Sequence, residues 1–400
     1  MGKSVCLYNG TVLTGFAAME NCAVLAEDGF VSEVFSQKRF HQHRFDSNTK
    51  LIDAEGAFIA PGFVDTHIHG TGGFGTEDSL VCESDEDAYK TGAQAALEMS
   101  RLLAAQGVSA FNPTLYPSEP ELMIRAVKSI ASAIGREEGA KIMGLHLEGP
   151  FISYARLGVQ KPETVSPVNL GFMEQLWEAA EGRIVNMTVA PELKGMRELA
   201  LYCIKKGIVL QAGHTNAEYG NMVEGMQAGI LHSTHLFNAM RRLDHRNPNA
   251  VGAILIHEEM SCEIIADGFH VHPDLFKLLL RDKHIEKIVL VTDALKPTGQ
   301  QEGPLLANGE EVIFHDGAFH RVSDDVIAGS GLTMIRGVQN LVHAGFSVED
   351  AVKTASTNPA QIMRYTTQGA IIPGKRADIT VFDKDFNVQT VMIDEKIINH

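Results

Sequence analysis

Eight short apolar runs recur through the middle of the chain, at residues 63–69, 108–113, 142–148, 184–190, 208–214, 231–236, 262–267 and 288–293. They are near-continuously apolar rather than alternating, the pattern of strands covered on both faces. Several are separated by stretches of helical character, at 91–106, 120–134, 170–180 and 273–281. Repeated strand–helix units predict an α/β fold, a parallel (β/α)8 TIM-like barrel. Residues 294–325 depart from this pattern and predict a hairpin insertion, with turns at Asn308-Gly309 and Asp316-Gly317. Stretches 332–344 and 348–363 read as closing helices.

The two chain ends have a different texture. Runs at 5–8, 23–26 and 30–34 are short and strand-like, punctuated by Asn9-Gly10 and Glu27-Asp28-Gly29. Runs at 377–382 and 391–393 follow a Pro373-Gly374-Lys375 turn. Neither end can bury a core alone. The expectation is a small β-sandwich module built from residues 1–58 and 366–400, attached to a barrel spanning 59–365.

A barrel of this kind gathers its chemistry at the C-terminal ends of its strands. Those ends carry His67 and His69 in the first run, Glu148 in the third, His214 in the fifth, His235 in the sixth and Asp293 in the eighth. In a strand, positions i and i+2 share a face, so His67 and His69 can converge on one ion. The same spacing at His41-Gln42-His43 lies among Lys, Arg and Gln with no apolar run feeding it, and reads as surface. A single strand-end histidine is most often a satisfied core residue. Metal-ligand and acid–base types at the same relative position in five of eight units make coincidence the weaker reading.

Charge narrows the partners. A formal net charge of −16 argues against a nucleic-acid or anionic-membrane surface, while a few local cations can still receive a small anion. No run reaches membrane-spanning length and no signal peptide is visible. Met1-Gly2 has Cys6 where a myristoylation signal wants Ser or Thr. Cys6, Cys22, Cys82, Cys203 and Cys262 are dispersed and odd in number, which suits a reducing compartment. The expectation is a cytoplasmic protein.

The order His-x-His, Glu, His, His, Asp resembles the amidohydrolase superfamily of metal-dependent hydrolases. Gly144-Leu145-His146-Leu147-Glu148-Gly149-Pro150-Phe151, Gly213-His214-Thr215-Asn216-Ala217 and Thr234-His235-Leu236-Phe237-Asn238-Ala239-Met240 are similar to the N-acetylglucosamine-6-phosphate deacetylases within it. So are Asp267-Gly268-Phe269-His270, Val291-Thr292-Asp293-Ala294, Leu332-Thr333-Met334 and Gly374-Lys375-Arg376-Ala377-Asp378, so the resemblance spans nearly the whole chain. It implies deacetylation of an N-acetyl-hexosamine 6-phosphate. Glu148, His214 and His235 would hold a divalent ion, zinc first, with iron, manganese or cobalt as alternatives. One carboxylate and two imidazoles leave a coordination position open for water, as in catalytic zinc sites. His67 and His69 would take a second ion where two are bound.

An ion there would lower the pKa of water towards neutrality and polarise the acetyl carbonyl. Asp293 resembles the general base that takes the water's proton and returns it to the departing amine; its bland alternative is a metal ligand or a partner of a histidine. For the substrate, the resemblance implies contacts at Val159, Gln160, Asn238, Ala239, Arg246, His270, Ile327, Ala328 and Gly329. Asn238, the Ala239 N–H and Arg246 would hold the phosphate, with Arg246 reaching into a neighbouring subunit's site and so implying a homodimer. His272, followed by Pro273, reads as structural or solvated.

One departure stands out. Where the family usually has Lys-Gly-Ala-His, this chain reads Leu157-Gly158-Val159-Gln160. Gln160 can donate and accept hydrogen bonds but cannot shuttle a proton as histidine does, which leaves the glucosamine and galactosamine epimers open. The competing functions are a cyclic-amide or N-acyl amino acid hydrolase and a barrel scaffold without catalysis. No lysine ends a candidate strand, as a carboxylated bridging lysine would require, and no ligand position has been lost.

Overall fold

Residues 4–80, 85–300 and 303–399 are described by the computed structural model of the protein, so Cys82 and the Met1-Gly2 start lie outside the described residues. Eight parallel strands form the barrel: Phe63–Ile68, Val108–Leu115, Leu145–Glu148, Ile184–Val189, Val209–Ala212, His232–Ser233, Ser261–Ile265 and Ile288–Val291. Each pairs with the next in chain order from first to eighth. The seam between eighth and first is closed by polar groups. The Asp293 N–H donates to the His67 carbonyl at 2.9 Å, and the Thr292 hydroxyl donates to Asp65 Oδ2 at 2.6 Å. Asp65 is fully buried there, and burial pushes its carboxyl up to about 7 against the pull of the Thr292 hydrogen bonds.

The strands are as buried as their apolar character predicts, but their inward face is not uniformly apolar. Asn112, Asn186, Gln211 and Glu263 are all fully buried. They join in a chain across the barrel: Asn112 Nδ2 donates to Asn186 Oδ1 at 3.1 Å, Asn186 Nδ2 to Gln211 Oε1 at 2.8 Å, and Gln211 Nε2 to Glu263 Oε1 at 2.9 Å. A buried polar group is costly unless paired, and each of these finds its partner on another strand of the barrel, Asn112 with Asn186 and Gln211 with Glu263 reaching past the strand between them. Around the outside, helices such as Asp85–Ala105, Pro120–Ala131, Leu170–Ala179 and Pro273–Asp282 pack apolar faces onto the strands.

Several elements are shorter than the sequence predicts. The run at 231–236 is a strand only over His232–Ser233, because the chain leaves the sheet to build a loop at the barrel mouth. The run at 142–148 divides into Lys141–Ile142 and Leu145–Glu148 around Gly144. The closing helix over 348–363 divides at Ser356 into Val348–Ala355 and Thr357–Ile362. Asn9-Gly10 is not a hairpin turn. Asn9, at φ +60°, bulges within a strand that continues over Ser4–Leu13, where the register slips between Leu7 and Gly10.

Both chain ends contribute to one mostly antiparallel eight-stranded sheet. Its order runs Lys396–Asn399, Val388–Ile393, Ile379–Phe382, Phe58–Pro61, Ser4–Leu13, Ala18–Glu27 and Phe30–Ser36, with Thr49–Asp53 also paired to Ser4–Leu13. The pairing of Phe58–Pro61 with Ile379–Phe382 ties the entrance of the barrel to its exit. The insertion after the eighth strand forms a separate antiparallel sheet of Leu306–Ala307, Glu310–His315, Ala318–Arg321 and Ile327–Ser330. Its last strand leads back to the barrel mouth.

Candidate active site

Three of the strand-end residues sit in backbone conformations that ordinary side chains avoid: His214 at φ +45°, His235 at φ +22° and Asp293 at φ +48°. Such positions cost on the order of 1–3 kcal/mol each and persist where the surroundings over-determine them. Here the kink turns each side chain inward over the barrel mouth. Gly213 makes the first of these turns feasible, since a Cβ there would lie 2.6 Å from that of Thr234.

The result is a tight cluster of donors. His214 Nε2 and His235 Nε2 each lie 3.1 Å from Glu148 Oε1 and 3.2 Å from one another. His67 Nε2 lies 3.4 Å from Glu148 Oε1 and 3.4 Å from Asp293 Oδ1, and His69 Nε2 is 3.4 Å from Glu148 Oε2 and from Asp293 Oδ1. Glu148, His214, His235, His67 and His69 are all buried. The structure thus brings the five predicted ligands and Asp293 together.

The residues behind this cluster decide which ring nitrogens face it. His214 Nδ1 donates to the Arg156 carbonyl at 3.0 Å, leaving a lone pair on Nε2. His67 Nδ1 donates to Glu263 Oε2 at 3.0 Å, the carboxylate–histidine arrangement that orients metal ligands. Burial disfavours charge on His67, yet Asp293, Glu263 and a hydrogen bond to Glu148 outweigh it and hold the ring well above the ordinary histidine range. Burial would likewise raise Glu148, but His214 and the hydrogen bonds from His214, His235 and His67 hold its carboxyl well below the usual carboxylate range. Two imidazole nitrogens 3.2 Å apart beside a carboxylate oxygen, inside a ring of carboxylates that demands positive charge, fit a divalent ion.

A cavity of about 310 Å³ opens above this cluster, within the range of small-molecule sites. Val159, Gln160, Asn238, Ala239, His270, Ile327 and Ala328 line it, alongside His69, Glu148, His214, His235 and Asp293. Gly329 lies one residue beyond this lining, paired with Phe319 in the insertion sheet. Arg246 is not brought in. Its backbone N–H is held by Asp244 Oδ1 at 2.8 Å, but its residue is exposed and outside the cavity lining of its own chain. Gln160 Nε2 donates to Glu148 Oε2 at 2.6 Å, while its Oε1 is buried without a protein partner. His270 Nδ1 meets Asp267 Oδ2 at 2.6 Å; burial opposes charge on this ring, and Asp267 overcomes it and raises it. His272 caps the helix that follows, its side chain accepting from the Asp274 N–H at 3.3 Å. His41 is exposed and His43 half-buried, away from the cluster.

Sequence reasoning missed Tyr116 and Glu263. The ring of Tyr116 stacks on His69 with centroids 3.8 Å apart and planes 9° from parallel, and it lines the cavity. It falls just past the predicted end of the second run. Glu263 stands inside the apolar stretch Ser261-Cys262-Glu263-Ile264-Ile265, and a lone carboxylate in a buried strand was the available signal. It accepts from Gln211 Nε2 and His67 Nδ1, and from the His235 N–H at 3.2 Å. Glu263→Ala would strand these donors in a dry interior. The expected loss is about 3–5 kcal/mol of unfolding free energy, the scale for breaking a buried charged pair, read by urea denaturation. A loss under about 1 kcal/mol would mean the interior relaxes or admits water.

Comparison with known proteins follows the same lines. The amidohydrolase family profile matches residues 58–398. The chain is 30% identical over 395 residues to the N-acetylglucosamine-6-phosphate deacetylase of Bacillus subtilis, covering 97% of this chain and 95% of that protein. It is also 30% identical over 346 residues to the N-acetylgalactosamine-6-phosphate deacetylase of Escherichia coli O157:H7, covering 86% and 88%. Among solved structures, a mutant N-acetyl-D-glucosamine-6-phosphate deacetylase from Mycobacterium smegmatis, in complex with N-acetyl-D-glucosamine-6-phosphate, superposes with a TM-score of 0.86 at 28% identity, covering all of both chains. The chain belongs to the amidohydrolase family, a family of metal-dependent hydrolases.

Proposed function

We propose that this protein removes acetate from N-acetyl-D-glucosamine 6-phosphate, releasing D-glucosamine 6-phosphate. The observation that carries the reading is the convergence of Glu148, His214, His235 and Asp293 on one cavity that Asn238 and Ala239 also line. Glu148, His214 and His235 hold a divalent ion, for which zinc suits the donor set best, and His67 with His69 hold a second where two are bound. When bound, that ion supplies Lewis-acid polarisation and a nucleophile at neutral pH. Asp293 takes the proton of the attacking water on its carboxylate and delivers it to the amine nitrogen as the carbon–nitrogen bond breaks. Asn238 and the Ala239 N–H receive the phosphate, and His270 and Gln160 contact the sugar. Gln160, tied to Glu148 through its amide, presents its unpaired Oε1 to a donor such as a sugar hydroxyl. We read the protein as cytoplasmic, in keeping with the buried free thiols of Cys6, Cys22, Cys203 and Cys262. Among the described residues no helix is long and apolar enough to cross a membrane.

The test is acetate release from a panel of acetylated sugars: the glucosamine and galactosamine 6-phosphates and unphosphorylated N-acetylglucosamine. Preference for the glucosamine 6-phosphate supports the reading. Faster turnover of the galactosamine epimer would reassign the substrate, and no release from any of them would overturn the reading.

Arg246, exposed and outside its own chain's cavity, acts across a homodimer interface as the charged clamp on phosphate. A charge-assisted contact of about 1.5–3 kcal/mol corresponds to roughly a ten- to hundred-fold loss for Arg246→Ala on the phosphorylated sugar. The unphosphorylated sugar should be barely affected. Equal losses on both substrates would make Arg246 structural. Mixing Arg246→Ala with Asp293→Asn subunits should restore partial activity in hybrid dimers, each of which contains one complete site. No recovery despite subunit exchange would confine Arg246 to its own chain.

A further inference from the structure

Among the described residues, three groups of His, Cys, Asp or Glu can gather on one ion. Two share Glu148 at the barrel mouth. The third is His315, His320 and Asp325, on the insertion sheet. His315 ends the strand Glu310–His315 and His320 lies in Ala318–Arg321. Ile313 faces His320 directly across the pair. With a side-chain period of two, His315 therefore shares that face and lies diagonal to His320. The two imidazoles stack with centroids 3.7 Å apart. Asp325, at φ +58°, sits in the turn that leads into Ile327–Ser330.

The donor spacings match those of the barrel group. Asp325 Oδ1 lies 3.1 Å from His315 Nε2 and 3.3 Å from His320 Nδ1, which also donates to the Asp325 carbonyl at 3.2 Å, a hydrogen bond that a bound ion would replace. The corresponding separations around Glu148 Oε1 are 3.1 Å and 3.1 Å. Tetrahedral ligands about 2.0–2.1 Å from zinc stand roughly 3.3 Å apart, so both sets have the span of an ion's coordination shell. His315 is also oriented as a ligand: its Nδ1 lies 3.3 Å from Asp316 Oδ2, which directs Nε2 towards Asp325. The turn is braced independently, since Arg321 donates to both Asp324 oxygens at 2.9 and 2.6 Å, and the Asp325 N–H donates to the Arg321 carbonyl at 2.9 Å. Other surface His–carboxylate pairs, such as His257–Glu259 at 3.5 Å and His284–Glu258 at 4.0 Å, belong to none of the three groups.

We propose that His315, His320 and Asp325 form a second, separate binding site for a borderline divalent cation, zinc foremost, that clamps the insertion sheet over the catalytic cavity. Two imidazoles and one carboxylate favour zinc, cobalt or nickel over magnesium or calcium. Water completes the fourth position. Binding releases any proton shared between a ring and Asp325. The ion joins two strands and the turn into a third, and Val326, Ile327 and Ala328, which follow Asp325 directly, line the cavity. Occupation therefore restrains this part of the cavity wall, and excess ion slows turnover. The metal site stands apart from the deacetylase reading; its effect on turnover rests on it.

The test is equilibrium dialysis of the metal-loaded enzyme against zinc, comparing wild type with His315→Gln/His320→Gln and with Asp325→Asn. The wild type should bind one more ion per chain than either variant, and cobalt should give the absorption of a four-coordinate site in the wild type alone. Equal uptake in all three proteins would overturn the site, whatever the enzyme's activity. In the absence of added zinc, turnover should agree within about twofold between wild type and the double variant. Excess zinc should then slow the wild type at least threefold and leave the double variant unchanged. Equal inhibition of both, or of neither, would overturn the coupling to the cavity.

Discussion

Asp293→Asn is expected to lower kcat by roughly 10²–10⁴-fold, the usual contribution of a positioned acid–base group, with KM and bound metal near wild type. The geometry sets up this expectation. Asp293 Oδ1 lies 3.4 Å from both His67 Nε2 and His69 Nε2, at the centre of the cluster and on the cavity wall. Its backbone is held separately, the N–H donating to the His67 carbonyl. Asparagine also tolerates the φ of +48° found here better than most residues. The substitution therefore removes the proton acceptor and little else. Metal analysis decides between the two roles open to this side chain. Loss of the ion along with activity would make Asp293 a ligand, and an unaffected kcat would dismiss it as the base.

The second large effect concerns His214 and His235. Replacing either removes one of three donors around Glu148 Oε1, and activity and tight metal binding should fall together by more than about 100-fold, the upper end for changes that only perturb a ligand's support. Alanine would add strain, because both positions have positive φ. His214→Asn and His235→Asn are the cleaner substitutions, since asparagine accepts that conformation. A melting temperature close to that of the metal-stripped wild type would show that the fold survives. Full activity at normal metal content in either variant would remove that histidine from the ligand set.

How much of this was legible beforehand follows from what each signal encodes. Near-continuous apolar runs separated by helical stretches announced a parallel barrel, because only strands covered on both faces read that way. The strand-end positions of His67, His69, Glu148, His214, His235 and Asp293 were legible for the same reason: where an apolar run stops, the mouth begins. Boundaries fared less well. Residues 232–236 are all buried, yet only His232–Ser233 are strand, because burial and sheet hydrogen bonding are separate properties and a buried loop can follow a strand without a change of texture. Asn9-Gly10 carried a turn signal that the structure uses as a bulge, since both conformations ask for the same positive φ.

By itself, then, the sequence determined the barrel, the mixed origin of the terminal sheet, and which residue types stand at the strand ends, because periodicity and composition are local properties of the chain. Only the tertiary structure decided the rest. Glu263 could be recognised as the support of His235 only once the seventh strand was placed beside the sixth, and as the support of His67, 196 positions away on the first strand, only once the barrel closed. Tyr116 became part of the site when its ring was stacked on His69. His315, His320 and Asp325 carry no motif spacing, and they form a group only because antiparallel pairing puts two imidazoles on one face and a turn returns the carboxylate to them. In each case the deciding contact joins segments whose separation along the chain says nothing of their distance in space.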